Sequence, residues 1–111
     1  MIAVITSEFN KEIVNGLLDG CKKSLKGHDI DIIKVPGAFE LPSTAKQCVD
    51  SSKYKAVITL GCVIRGETDH YDYICKAVSN GIMDVSIESN IPVLFGVLTC
   101  QNSELAFERS R

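Results

Sequence analysis

His70 closes the run Arg65-Gly66-Glu67-Thr68-Asp69-His70, the densest concentration of chemically useful side chains in the sequence. Histidine is the residue best suited to giving and taking protons near neutral pH. A turn of this kind, with a helix start behind it, can hold a phosphate on backbone N–H groups, and Thr68 adds a hydroxyl. The same run could equally be a solvated, well-capped helix start. Neither a Walker A pattern nor a GxGxxG is present, so a nucleotide phosphate loop is not indicated. A second group, Pro36-Gly37-Ala38-Phe39-Glu40, combines a turn glycine that lets backbone approach a ligand with an aromatic face and a carboxylate. It also fits a plain turn, a core Phe and a helix-start Glu. A third, Ser7-Glu8-Phe9-Asn10, offers an aromatic able to stack on a planar ring or to cap the core. His28 and Arg109, taken alone, read as surface charges.

The elements that must position these groups follow from hydrophobic spacing. Residues 2–6, 30–35, 56–64 and 92–99 are nearly continuous apolar runs and predict strands. Between them, Ile13, Val14, Leu17, Leu18, Cys21 and Leu25 fall on one helical face, with Gly27 placed for the helix end. Ala38, Leu41, Ala45 and Val49 mark a second helix, where Pro42 is tolerable only in the first turn. Ile74, Ala77, Val78, Ile82 and Val85 mark a third. Asn102 predicts an N-cap for a fourth, with Glu104 in its first turn and Leu105 and Ala106 toward the sheet. The fourth helix is expected to run to Arg111 without a stop signal, so that the domain ends inside an element.

Four βα units with apolar strands predict a three-layer α/β/α sandwich around a four-stranded parallel sheet, in the flavodoxin-like order 2-1-3-4. In such sheets ligands sit at the carboxyl ends of the strands. All three groups fall there, and His28 falls at the opposite end.

Length and composition bound the rest. At 111 residues the sequence suits one α/β domain, 1–111, with a thin core that oligomerisation would help. A net charge of −2 with scattered Lys and Arg offers no basic stripe for nucleic acid. No apolar run approaches the ~20 residues of a membrane span. The five cysteines, Cys21, Cys48, Cys62, Cys75 and Cys100, contain no CxxC pair and are odd in number, which argues against a zinc site or a disulfide framework. Thiols in a reducing compartment, and a cytoplasmic location, are expected.

Taken in order, four stretches resemble the lumazine synthase family along nearly the whole sequence. They are Ser7-Glu-Phe-Asn10, Val35-Pro-Gly-Ala-Phe-Glu-Leu-Pro42, Leu60-Gly-Cys-Val-Ile-Arg-Gly-Glu-Thr-Asp-His-Tyr-Asp-Tyr73 and Pro92-Val-Leu-Phe-Gly-Val-Leu-Thr99, the last followed by Asn102, Glu104, Ala106 and Arg109. The resemblance implies condensation of 5-amino-6-(D-ribitylamino)uracil with 3,4-dihydroxy-2-butanone 4-phosphate, in riboflavin biosynthesis, with no cofactor and no metal. It implies that Phe9 stacks on the pyrimidine, that Ala38, Phe39 and Glu40 hold the ring and its ribityl hydroxyls, and that Val63 lies near the ring. Glu67 and Thr68 correspond to the phosphate-binding turn, and His70 to the histidine that transfers protons. Phe95 and Arg109 correspond to residues that reach the site from a neighbouring subunit, the arginine pairing with phosphate. A homopentamer follows, alone, as a decamer or in a sixty-subunit shell. The family's N-terminal extension and last long helix, with a phosphate-contacting lysine, are expected to be missing.

Two other classes fit the pattern less well. A flavodoxin would carry a Thr/Ser-rich loop where Ser7-Glu8-Phe9-Asn10 stands, and a receiver module would end its third strand on Asp where Gly61 and Cys62 stand. A shell subunit without catalysis would have no use for Phe9, His70 and Arg109.

Overall fold

The structure, a computed structural model, describes residues 1–65 and 70–110. Four parallel strands, β1 (Ile2–Ser7), β2 (Ile30–Val35), β3 (Ala56–Ile64) and β4 (Val93–Cys100), form one sheet in the order β2-β1-β3-β4. The expected doubly wound α/β/α architecture is therefore present. Helices α1 (Lys11–Ser24), α2 (Leu41–Asp50), α3 (Tyr71–Glu88) and α4 (Ser103–Arg109) follow the strands in turn.

Strand alternation divides the apolar residues between two cores. Ala3 and Ile5 of β1, with Val57 and Val63 of β3, pack beneath α2 and α3 against Leu41, Ala45, Val78 and Ile82. Ile2 and Val4, with Leu60, Cys62 and Ile64, pack on the other face against Ile13, Val14 and Leu18 of α1 and Ala106 of α4. β1 is buried along its whole length because it lies inside the sheet and is covered on both faces.

Local chemistry explains the element ends. Pro42 sits in the first turn of α2, where its missing N–H costs no helical hydrogen bond. Gly27 adopts φ +92° after α1, a left-handed conformation that glycine takes without a Cβ penalty. Asn102 caps α4 by accepting the Leu105 N–H at 3.0 Å. Three boundaries differ from expectation. Residues 38–40, expected to open the second helix, form a one-turn 3-10 helix ahead of α2. His70, expected inside the first turn of the third helix, is its N-cap. α4 ends at Arg109, earlier than expected, where the Ser110 N–H turns back to the carbonyls of Ala106 and Phe107; Arg111 lies outside the described residues. No helix among the described residues is long and apolar enough to cross a membrane.

Candidate active site

The carboxyl ends of β1, β2 and β3 open on a cavity of about 420 Å³, within the range of small-molecule sites. Phe9, Ala38, Phe39, Glu40 and Val63, drawn from three separate stretches of sequence, all line it. Its floor is apolar, with Ala38 and Val63 buried beneath it. The two phenyl rings are not part of the core: Phe9 is 58% exposed and Phe39 52% exposed. Fully burying a Phe stabilises a fold by roughly 1.5–3 kcal/mol. Two half-wet rings beside one cavity forgo much of that, and they offer faces on which a planar heterocycle can stack.

Each wall has a local cause. β1 ends at Ser7, and the chain turns back at Asn10, whose left-handed conformation (φ 61°, ψ 46°) reverses it into α1. The Glu8 and Phe9 N–H groups donate to the carbonyls of Val35 and Pro36, at 2.8 and 3.1 Å, which fixes the first turn against the second. At the second turn the Gly37 N–H donates to Glu40 Oε1 at 2.9 Å, while the Glu40 N–H donates to the Gly37 carbonyl. One carboxylate oxygen of Glu40 is thereby held by backbone. The side chain itself is half-buried.

His70 stands at a contiguous hollow, lined with Phe39, Glu40, Tyr73 and Ile74. Phe39, Glu40 and Ile74 are common to both spaces, so the imidazole and the carboxylate share one rim of the aromatic slot. The His70 carbonyl accepts the Ile74 N–H at 2.8 Å and starts α3, leaving the side chain exposed at the helix entrance. Next to it, burial and the Cys75 thiol push the Tyr71 phenol up, and the Arg65 guanidinium lies 6.0 Å from the Tyr71 ring centre. A phenol with a raised pKa stays protonated at neutral pH. Burial likewise pushes up the thiols of Cys21, Cys48 and Cys75, so none of these three is an activated nucleophile. Proton transfer is the chemistry that the groups at the rim can perform.

Other residues singled out in the sequence lie elsewhere. Glu67 and Thr68 fall outside the described residues. Phe95, 48% exposed on β4, lines a separate hollow with Ser79, Ile82, Met83 and Ser86 of α3. Arg109, at the end of α4, donates to Cys100 Sγ at 3.6 Å, on the face of the sheet covered by α1 and α4. Neither Phe95 nor Arg109 lines the aromatic cavity of its own chain. His28 lies at the opposite end of the sheet, with its Nδ1 3.3 Å from Lys55 Nζ. Cys62, Ile64 and Ile74 also line the cavity but were not assigned to it from the sequence. The signal was available, because the last residues of an inner strand and the first apolar residue of the next helix must meet at the crevice.

The fold agrees with a comparison over the whole sequence. A family model described as 6,7-dimethyl-8-ribityllumazine synthase matches residues 1–111, and the chain belongs to that family of transferases.

Proposed function

We propose that the protein condenses 5-amino-6-(D-ribitylamino)uracil with 3,4-dihydroxy-2-butanone 4-phosphate to 6,7-dimethyl-8-ribityllumazine, in the cytoplasm and as a homo-oligomer. The observation that carries this reading is the slot with Phe9 and Phe39 at its walls and His70 and Glu40 at one rim. It suits a planar pyrimidinedione carrying a hydroxylated side chain. Phe9 stacks on the ring, Val63 and Ala38 support it, and Phe39 and Glu40 hold the ring edge and ribityl hydroxyls. Glu67 and Thr68 serve the phosphate, with Arg109 and Phe95 supplied by a neighbouring subunit.

The primary amine of the pyrimidine attacks the ketone carbon, and loss of water gives an imine. Removal of a carbon-bound proton then expels inorganic phosphate. The four-carbon chain turns, the secondary amine attacks the remaining carbonyl, and a second loss of water closes the ring. His70 carries protons between carbon, nitrogen and oxygen in these steps. Much of the rate comes from holding two reactants in register, an effect worth up to ~7–11 kcal/mol.

The direct test mixes the protein with both substrates and follows lumazine fluorescence together with phosphate release. Formation of both products, dependent on both substrates, is expected. Phosphate release without lumazine, or no reaction by a folded protein, overturns the reading.

A further inference from the structure

Asn10 holds a left-handed conformation that asparagine tolerates better than most residues but glycine takes more easily. Its side chain makes no cap hydrogen bond to the helix it precedes. The Asn10 carbonyl does that work, accepting the N–H groups of Ile13 and Val14 at 3.1 Å. The side-chain amide instead crosses to another strand: Nδ2 donates to the Cys62 carbonyl of β3 at 3.1 Å. Pairing between β1 and β3 ends at Thr6 and Leu60. Asn10 therefore extends the connection between these strands beyond the point where the β1 backbone turns away. On the other side, the same turn is fixed to β2 through the Glu8 and Phe9 N–H groups. Phe9 is thus carried on a turn tied from both sides, and Phe9 and Cys62 border the same cavity.

We infer that Asn10 is a positioning residue for ring binding. Its amide is a strut that sets the Phe9 turn at a fixed height over the β3 floor, so that the slot stands aligned before the heterocycle enters. A conformational need alone would be met by glycine, so the amide is what asparagine adds. The inference rests on the proposed reaction and concerns one substrate of the two. A preorganised slot lowers the ordering cost of the ring that enters it. It does little for the ketose phosphate, whose proposed partners lie on other segments.

Asn10→Gly keeps the backbone conformation and removes the strut, and Asn10→Asp keeps the shape and places an acceptor against the Cys62 carbonyl. Both should raise KM for the pyrimidine and the Kd of the fluorescent lumazine product about tenfold, equivalent to ~1.4 kcal/mol. KM for the ketose phosphate should change less than about twofold. Thermal stability of Asn10→Gly should stay near that of the wild type. Unchanged ring affinity in Asn10→Gly overturns the inference, as does equal weakening of both substrates accompanied by a lower Tm. Amide exchange at Glu8 and Phe9 supplies a readout independent of activity, and it should quicken in Asn10→Gly. If the wild type neither makes nor binds lumazine, the proposed reaction fails while exchange still decides the strut: unchanged exchange rules it out.

Discussion

At the residue scale, His70 and Glu40 share a rim and are suited to different tasks. Glu40 is fixed by the Gly37 N–H, whereas His70 is exposed at the entrance to α3. The proposed proton carrier must serve carbon, nitrogen and oxygen in turn, and an exposed position lets each of them reach it. The proposed stacking of the heterocycle on Phe9 and Phe39 does not depend on the imidazole. His70→Ala should therefore slow lumazine formation by roughly 10²-fold, at the low end of general acid–base effects. KM for the pyrimidine should move little, since the lost interaction belongs to the transition state. Steady-state kinetics with each substrate varied in turn checks this. Full activity in the variant removes His70 from the mechanism.

At the element scale, the sequence was most legible where one residue type has one physical use. The nearly unbroken apolar run of residues 56–64 could only be a strand covered on both faces, and it is β3. Asn102 announced the start of α4, and the structure places its side chain on the Leu105 N–H. The sheet rule then put Phe9, Phe39 and His70 at the carboxyl end, where the structure also has them. Less legible was anything that depends on a contact between distant segments. No spacing discloses that Asn10 reaches Cys62, or that Phe95 and Arg109 stand apart from the aromatic cavity. The 3-10 turn at 38–40 was also hidden, because its apolar Ala38 fits either helix type.

Close packing between α2 and α3 positions this part of the site. A Cβ on Gly81 would lie 2.8 Å from both Cβ and Cγ of Pro42, a rigid ring that cannot turn aside. Gly81→Ala gains roughly 0.5–1 kcal/mol in helix propensity, but overpacking costs typically 1–3 kcal/mol. The overpacking wins, so a lower Tm is expected. Ring binding should weaken as well, because α2 follows directly from the turn that carries Phe39 and Glu40. A raised Tm measured by thermal denaturation refutes this account of the contact.

A second constraint works at the opposite end of the sheet. The Tyr54 hydroxyl, just before β3, donates to Asp31 Oδ2 on β2, with Ala3 of β1 between Asp31 and Val57 in register. This hydrogen bond, and then burial, push the Tyr54 phenol up to about 12. Because the folded pKa is raised, the stabilisation is fully present below the unfolded value of ~10. It is lost as the pH rises through the folded value. Tyr54→Phe should cost roughly 1–2 kcal/mol near pH 7, given a carboxylate acceptor that keeps some access to water. Urea unfolding of wild type and variant should differ by a constant amount up to pH ~10 and converge above it. A gap that widens with alkalinity contradicts the assignment.

At the scale of the whole molecule, the aromatic slot and the residues proposed to complete it do not meet within one chain. Phe95 presents its ring on edge strand β4 beside the exposed Met83, and Arg109 lies on the face covered by α1 and α4. In a closed ring every interface repeats, so Arg109 of one copy can face the phosphate proposed to bind near His70 of the next. Light scattering of the protein at micromolar concentration should report a cyclic oligomer, and a stable monomer contradicts the arrangement. Complementation is the sharper test. His70→Ala and Arg109→Ala should each be poorly active alone, the second chiefly through a ketose-phosphate KM raised ten- to a hundredfold, as expected for a charged hydrogen bond of ~1.5–3 kcal/mol. When the two are co-expressed and assemble at random, about a quarter of the interfaces combine an intact His70 with an intact Arg109. Activity should then recover to about a quarter of the wild-type value, far above that of either variant. A mixture no more active than the mean of its two components would place His70 and Arg109 in a site built by a single chain.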